Sequence, residues 1–306
     1  MGNANYPRIR TDGTLRETAR HGSEEYPLRY YVEDIYEFDF HCVDWHWHSE
    51  VELVLVERGA AECLIGSGRY TLRAGMGLFI NSQIIHRFEA AESTLIPNIV
   101  FSPALLAPEG GLIDQKYIQL VLHAPVDCLV FSPEIPWQKA ALDALRSVFA
   151  AQGEENGEIR TVEALLRLWE LIYRNMGAAG TDAGGQMPAH TRAQLQIMLR
   201  FIRENYARHI TLEDIAQTVS LSRNGALDLF RRYFHTSPIS CLVQYRLRRA
   251  ARLLVTTEDS VSSIAQDTGF ESSSYFCRKF KELFQVTPGE YRTAKTANAA
   301  RSAALK

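Results

Sequence analysis

Between residues 36 and about 131 the apolar positions come in short runs, at 52–56, 61–65, 69–72, 77–80 and 96–101, with glycines in the breaks between them. Runs of this length predict strands, and their close spacing predicts a small barrel or sandwich. Past residue 136 the period lengthens. Leu142, Leu145 and Phe149 recur over 137–151, and Val162, Leu165, Leu166, Trp169, Ile172 and Tyr173 over 159–176, at the three- and four-residue steps of two amphipathic helices. Such a pair either packs on the barrel or meets a second chain. Residues 1–34 are polar without a clear period and read as an arm or partly ordered tail. The stretch 177–189, GAAGTDAGGQMPA, has the composition of a flexible linker.

The rest of the chain repeats itself. Asp214-Ile215-Ala216-Gln217 returns as Ser263-Ile264-Ala265-Gln266, Phe230-Arg231 as Phe280-Lys281, and Ser237-Pro238 as Thr287-Pro288. The offset is 49 residues at the first pair and 50 at the others, so the second turn holds one extra residue. Each copy reads as a short helix, a tight turn and a second helix. In the first, Thr211 caps with Asp214 three residues on, 219–222 turn, and Ser222 caps a helix over 223–234. In the second, Ser260 caps, Gly269 supplies a left-handed turn residue, and Ser272 or Ser273 caps again. A long helix from Pro238 to Val255 joins them, with Ile239, Leu242, Val243, Leu247, Ala250 and Leu254 as its packing stripe. At about 1.5 Å per residue it spaces the copies by roughly 25 Å. In the last helix Phe276, Phe280 and Leu283 share one face while Arg278, Lys279 and Lys281 surround the rest. An apolar back with a cationic front suits a DNA major groove, and two such helices could enter neighbouring segments of one duplex face.

Charge sharpens this division. The net charge of −3 conceals 18 Lys+Arg against 10 Asp+Glu from residue 189 onward, and 15 against 26 before it. A basic final third suggests that this part meets a polyanion. A hydrophobic content of 46% over 306 residues suits two domains with real cores. No apolar run approaches the ~18 residues of a membrane span, and MGNANYPRIR carries neither a signal-peptide core nor a myristoylation pattern. Five dispersed cysteines, Cys42, Cys63, Cys128, Cys241 and Cys277, fit a reducing cytoplasm.

The stretch GFESSSYFCRKFKELFQVTPGEYR, with RLRRAARLL at 246–254, resembles the double helix-turn-helix domain of the AraC/XylS transcription regulators, and the resemblance covers 192–293. It departs from the family pattern at Gln285, where glycine is usual before Thr-Pro, at Cys241, where an aromatic is common, and at Gly225 and Asp228 inside the first recognition helix. The implied architecture is multidomain. A cupin or jelly-roll β-barrel with a helical extension precedes an all-α domain whose two helix-turn-helix units share a linker helix. The boundaries expected are an arm at 1–34, an effector-binding barrel at 35–131, a helical dimerisation segment at 132–176, a linker at 177–189, the DNA-binding domain at 190–294 and a tail at 295–306. The DNA-binding set is Ser222, Arg223, Asn224, Leu227, Asp228, Arg231 and Arg232 in the first unit, and Ser272, Ser273, Ser274, Cys277, Arg278 and Lys281 in the second. Lys279 and Arg246 are further candidates for phosphate contacts. Asn224 suits adenine, Leu227 a thymine methyl, Asp228 a cytosine amine and Arg278 either guanine or a phosphate. The resemblance also implies a cytoplasmic activator that contacts RNA polymerase, takes a small-molecule effector such as a sugar, and dimerises through 137–176 around Trp169 and Leu166.

Within the barrel, His46-x-His48, then Glu52 and Gly59, followed by Gly75, Gly77, Asn81 and His86, resemble the two cupin motifs. That resemblance implies a divalent-metal set of His46, His48, Glu52 and His86, while in regulators the same histidines serve as hydrogen-bonding groups or effector contacts. Alternate strand residues share a side, so His46 and His48 are expected to converge, and three imidazoles with a carboxylate suit zinc, iron, nickel or manganese. Trp45, Trp47, Phe79, Arg87 and Phe88 are expected to line or flank the pocket. The competing reading is a metal-dependent cupin enzyme, in which the repeated basic domain has no role; the leading reading is a regulator that is not an enzyme.

Overall fold

The computed structural model describes residues 9–179 and 187–293. The chain divides between Pro188 and Ala189 into two compact units. Among the described residues of the first are β1 (Leu28–Asp34), β2 (Cys42–His46), β3 (Val51–Leu55), β4 (Ala60–Ile65), β5 (Gly68–Arg73), β6 (Gly77–Ile80), β7 (His86–Glu89), β8 (Leu95–Phe101) and β9 (Cys128–Phe131). They form two sheets of antiparallel pairs, ordered β1-β8-β3-β6-β9 and β2-β7-β4-β5.

The strand β3 shows how the layers are made. Successive side chains face opposite sides, yet all five of its residues are buried, because both faces of this sheet are covered. Val51, Leu53 and Leu55 pack with Ile99, Phe101 and Phe131 against helices. Val54 packs with Ile80, Phe88 and Ile96 between the two sheets. Each such side chain contributes roughly 1.5–3 kcal/mol on burial. Glu52 shares the Val54 side, which sends a carboxylate into the barrel.

Among the described residues, the α-helices α1 (Gln119–Leu122), α2 (Pro136–Ala150) and α3 (Gly157–Ala179) follow or interrupt the strands. Leu142, Leu145 and Val148 of α2 and Leu165, Leu168, Trp169 and Ile172 of α3 cover the outer face of the five-stranded sheet. Trp169 lies edge-on to Phe79 and Phe101 and its Nε1 donates to the Tyr117 carbonyl at 3.1 Å. This corrects the expectation that Trp169 centres a subunit interface: it is 3% exposed within its own unit, whereas Leu166 is 40% exposed.

The polar start is also more ordered than its pattern suggests. All seven residues of β1 pair with β8, from Leu28 opposite Phe101 to Asp34 opposite Leu95. Upstream, Leu15 is buried, and Trp47 receives the segment through main-chain bonds to Leu15 and Glu17 and an Nε1 bond to the Thr14 carbonyl at 3.0 Å. The reading of 1–34 as an arm fails over its described part because Tyr31 and Glu33 point into a polar barrel interior, which removes the apolar alternation a strand usually shows. The expected linker is shortened in the same way, since α3 continues through Ala179 and the next helix starts at Ala189; residues 180–186 and the tail from 294 lie outside the described residues.

Among the described residues of the second unit are α4 (Ala189–Asn205), α5 (Leu212–Gln217), α6 (Arg223–Phe234), α7 (Pro238–Thr256), α8 (Val261–Asp267) and α9 (Ser273–Phe284). Their ends are chemically marked. Thr211 and Asp214 form a reciprocal capping box on α5, and Ser222, Ser237, Ser260 and Ser272 each accept from a main-chain N–H to cap α6, α7, α8 and α9. The two turns are left-handed at Ser220 and Gly269, with φ of 55° and 85°. A Cβ on Gly269 would sit 2.6 Å from the Tyr206 carbonyl oxygen, so the approach of α8 requires glycine there. Gln285 takes φ 61° at the end of α9, a left-handed position that costs a non-glycine residue about 1 kcal/mol.

Three expected packing details change. Leu283 and Ile239 are each 37% exposed and leave their stripes, and α7 buries Ala251 instead. Arg246, expected near phosphates, turns inward: its Nε and Nη2 donate to the Tyr206 and Arg208 carbonyls at 2.7 and 2.6 Å. Arg292 does the same for Leu254 and Asp259. Both arginines satisfy carbonyls at and just beyond helix ends, which otherwise lack intrahelical partners. Among the described residues no helix is long and apolar enough to cross a membrane.

Candidate functional site: the barrel cluster and the nucleic-acid face

His46 ends β2, opposite His86 at the start of β7 in the strand register. His48 follows two residues later, and Glu52 comes from β3. The four are buried, and one donor atom from each lies within 4.8 Å of the others. Ring centroids of His46 and His86 are 4.1 Å apart, and those of His48 and His86 5.2 Å. The Glu52 Oε2 stands 3.0 Å from His86 Nε2 and 3.5 Å from His48 Nε2.

The outer nitrogens explain this convergence. His46, His48 and His86 place Nδ1 at 2.8, 3.1 and 2.8 Å from the carbonyls of Asp44, Glu50 and Ile84. Each Nδ1–H donates outward, which turns the Nε2 lone pair toward the centre. Buried Nε2 of His48 and His86 and Oε2 of Glu52 make no hydrogen bond of good geometry, an expensive condition for polar atoms out of water. Burial would raise the Glu52 carboxyl, but its contacts with His48 and His86 outweigh it and hold the acid well below the usual carboxylate range. Burial, then the neighbouring His86 and His48, pushes His46 well below the usual imidazole value. Three inward Nε2 atoms and one ionised carboxylate fit a divalent cation by chemistry; donors about 2.1 Å from a cation lie at most ~4.2 Å apart, so the 4.8 Å set contracts slightly to hold one.

The flanking residues divide. Phe88 packs below His86 at 5.7 Å. Phe79 instead faces Trp169 on the helix side of its sheet. Arg87 also departs from expectation: strand alternation puts it on the face opposite His86, where it is held by Asp44 and by Glu89. Burial would lower its affinity for the proton, but Asp44 and then Glu89 more than offset this. Trp45 is half-buried, and Trp47 serves the N-terminal segment as described.

The motif reading missed His21, Glu17, Tyr31, Glu33 and Asn98. His21 is buried, 5.4 Å from His48 between ring centroids, with Nδ1 2.9 Å from the Tyr31 hydroxyl and Nε2 3.4 Å from Glu17 Oε2. Asn98 donates to Glu33 at 3.2 Å. Burial pushes Glu33 up to about 7 against that bond. The Tyr31–Glu33 spacing along β1 was the one available signal, and it is too short to read without the register. Asn81, in the second motif, is structural: its Nδ2 donates to the carbonyls of Val121, Leu122 and Val126.

In the second unit α6 buries Ala226, Phe230, Tyr233 and Phe234. This leaves Arg223, Asn224, Asp228, Arg231 and Arg232 exposed and Leu227 half-buried. Asn224, Asp228 and Arg231 stand at i, i+4 and i+7, a single stripe. In α9 Phe276 and Phe280 are fully buried, and Ser274, Arg278 and Lys281 repeat that spacing, with Ser272 and Ser273 exposed at the start and Cys277 half-buried. Tyr275, absent from the sequence reading, is exposed with the Arg278 guanidinium 5.4 Å above its ring. Glu282 moderates the charge, lying 4.0 Å from Arg278 and 2.6 Å from Lys279.

Comparison with known proteins agrees with both halves. A family model described as an AraC-like ligand binding domain matches residues 33–172, and one described as a helix-turn-helix domain matches 215–294. The uncharacterized HTH-type transcriptional regulator YdeC of Bacillus subtilis is 28% identical over 292 residues, 92% of this chain and 97% of its own. The HTH-type transcriptional activator RhaS of Escherichia fergusonii is 24% identical over 255 residues, covering 83% and 88%. The melibiose operon regulatory protein of Escherichia coli is 25% identical over 256 residues, covering 81% and 82%. With a barrel matched as a ligand-binding domain and a repeated helical unit matched as a DNA-binding one, in that order, the chain belongs to the AraC/XylS family of transcriptional regulators.

Proposed function

We propose that the barrel senses a small metabolite through a divalent cation held by His46, His48, Glu52 and His86, and that this state sets promoter occupancy by α6 and α9. The observation that carries the reading is the buried four-donor cluster, in which His48 Nε2, His86 Nε2 and Glu52 Oε2 make no hydrogen bond of good geometry, in a chain that also bears two capped recognition helices. Bound there, a divalent cation would offer further positions to the oxygens of a small ligand. A sugar or a related metabolite, sugar-derived hydroxy acids included, is the effector class, in keeping with what the name of the melibiose relative says of that protein. The cluster serves recognition rather than turnover. For regulation to follow, the effector must bind the DNA-competent and incompetent states unequally.

On DNA, Arg223, Arg231, Arg232, Lys279 and Lys281 contact phosphates, while Asn224, Leu227, Asp228, Ser273, Ser274, Cys277 and Arg278 reach base edges. The protein works as a cytoplasmic activator that engages RNA polymerase. It dimerises through α3, whose exposed Ile159 and Leu166 are 75% and 40% accessible and seven residues apart; Leu166→Glu converts the dimer to a monomer in sedimentation, and an unchanged mass contradicts this face. The functional test uses a DNA fragment the full-length protein selects from its genome. A cell metabolite extract with manganese(II) shifts wild-type affinity at least fivefold and leaves Glu52→Gln unmoved. No shift in wild type, or an equal shift in the variant, contradicts the reading.

A further inference from the structure

The cluster has a neighbour that neither motif includes. His21 enters the barrel from the N-terminal segment, is 5% exposed, and stands 5.4 Å from His48 between centroids. Its Nε2 makes no hydrogen bond. The Tyr31 hydroxyl lies 2.9 Å from Nδ1, and the Glu17 carboxylate lies on the Nε2 side at 3.4 Å. Burial pushes the Tyr31 hydroxyl up to about 12, so it remains a donor. A hydroxyl donating to Nδ1 and a carboxylate beside Nε2 both favour the imidazole proton on Nε2. The result is a buried N–H whose neighbouring carboxylate, Glu17 at 3.4 Å, makes no hydrogen bond to it, next to a cation-binding set.

We propose that His21 is the residue that grips the effector, and that the effector is a small 2-hydroxy carboxylate offering two oxygens to the cation and one to the His21 Nε2–H. This rests on the reading of His46, His48, Glu52 and His86 as a cation site. Three observations select the class. Four protein donors leave a six-coordinate cation two positions, which a 2-hydroxy carboxylate fills with a hydroxyl and one carboxylate oxygen, leaving the other oxygen for His21. Glu52 is the one carboxylate among the four donors, so a divalent cation retains positive charge that an anionic ligand offsets and a neutral diol does not. Finally, Val54, Ile80, Phe88 and Ile96 already fill the barrel below the cluster, which restricts the ligand to a few carbons. Glu17, Glu33 and Glu52 make the interior acidic, so the anion binds only after the cation.

The test uses full-length protein freed of metal by chelation, with manganese(II) and then glycolate as probes, read by thermal midpoint and calorimetry. The proposal expects manganese to raise the midpoint, and glycolate to raise it again only when manganese is present, with acetate and ethylene glycol inactive at equal concentration. His21→Ala keeps the manganese shift and weakens glycolate about tenfold, the scale of one hydrogen bond. His21→Gln, which restores an N–H, recovers part of that loss and carries the comparison should His21→Ala not fold. No manganese shift in wild type overturns the cation reading and this inference together. A manganese shift without a glycolate shift, an undiminished glycolate response in both His21 variants, or a glycolate response without manganese overturns this inference alone.

Discussion

Two residues show how far a local environment can redirect a side chain. Glu33 is an ordinary surface residue by sequence, but β1 turns it inward, where burial raises it to about 7 from 4.5. Its folded-state value exceeds the unfolded one, so its contribution to stability is complete below about 4.5 and is lost as pH rises through about 7. Glu33→Gln is therefore predicted to stabilise the barrel at pH 8 by about 1–2 kcal/mol in denaturant unfolding, with the difference vanishing near pH 4.5; an equal effect at both pH values would contradict the burial account. Arg246 is the second case. Its bonds to the Tyr206 and Arg208 carbonyls make it a brace, so Arg246→Met is predicted to cost about 2 kcal/mol of stability while the salt slope of DNA binding stays unchanged. A slope reduced by about one would restore a phosphate role.

At the scale of elements, the helices were legible and part of the barrel was not. Caps at Thr211, Ser222, Ser260 and Ser272 stand in sequence beside the periods they begin, and a repeat checks each against its copy. The strands β3 to β6 and β8 are apolar enough to show themselves. By contrast β1, β2, β7 and β9 were hidden. β1 carries Tyr31 and Glu33 on its inner side, and β2 shifts register between Val43 and His46. The four-donor set was legible as a motif, but His21 was not, because it reaches the cluster through a segment anchored by the Arg16–Trp47 bridge and the main-chain bonds of Leu15 and Glu17 to Trp47. Arg87 was misplaced by proximity to His86, where strand alternation decides otherwise. Between the two helices, α6 carries the exposed carboxylate Asp228 where the matching stripe of α9 carries Arg278. Asp228→Arg is predicted to tighten binding to random DNA several-fold at low salt and to narrow the gap between selected and random fragments. Unchanged affinity and selectivity would show that Asp228 does not face the duplex.

For the whole molecule, the division of labour follows charge and polarity. The acidic first unit gathers buried polar groups, among them His46, His48, Glu52 and His86, in its interior, and the basic second unit exposes Arg223, Arg231, Arg232, Arg278 and Lys281 on α6 and α9. Two readers joined by a 19-residue helix, about 28 Å long, suit adjacent turns of one duplex face. Specific reading of DNA by both helices is the central claim. Its most direct measurement is sequencing of the genomic fragments retained by purified full-length protein at near-physiological salt, for wild type, Asn224→Ala and Arg278→Ala. The account predicts a few recurring fragments that share a two-part motif, with each substitution relaxing a different part at a cost of about 1–3 kcal/mol. Retention of random fragments only, lost alike by all three proteins as salt rises, would contradict it.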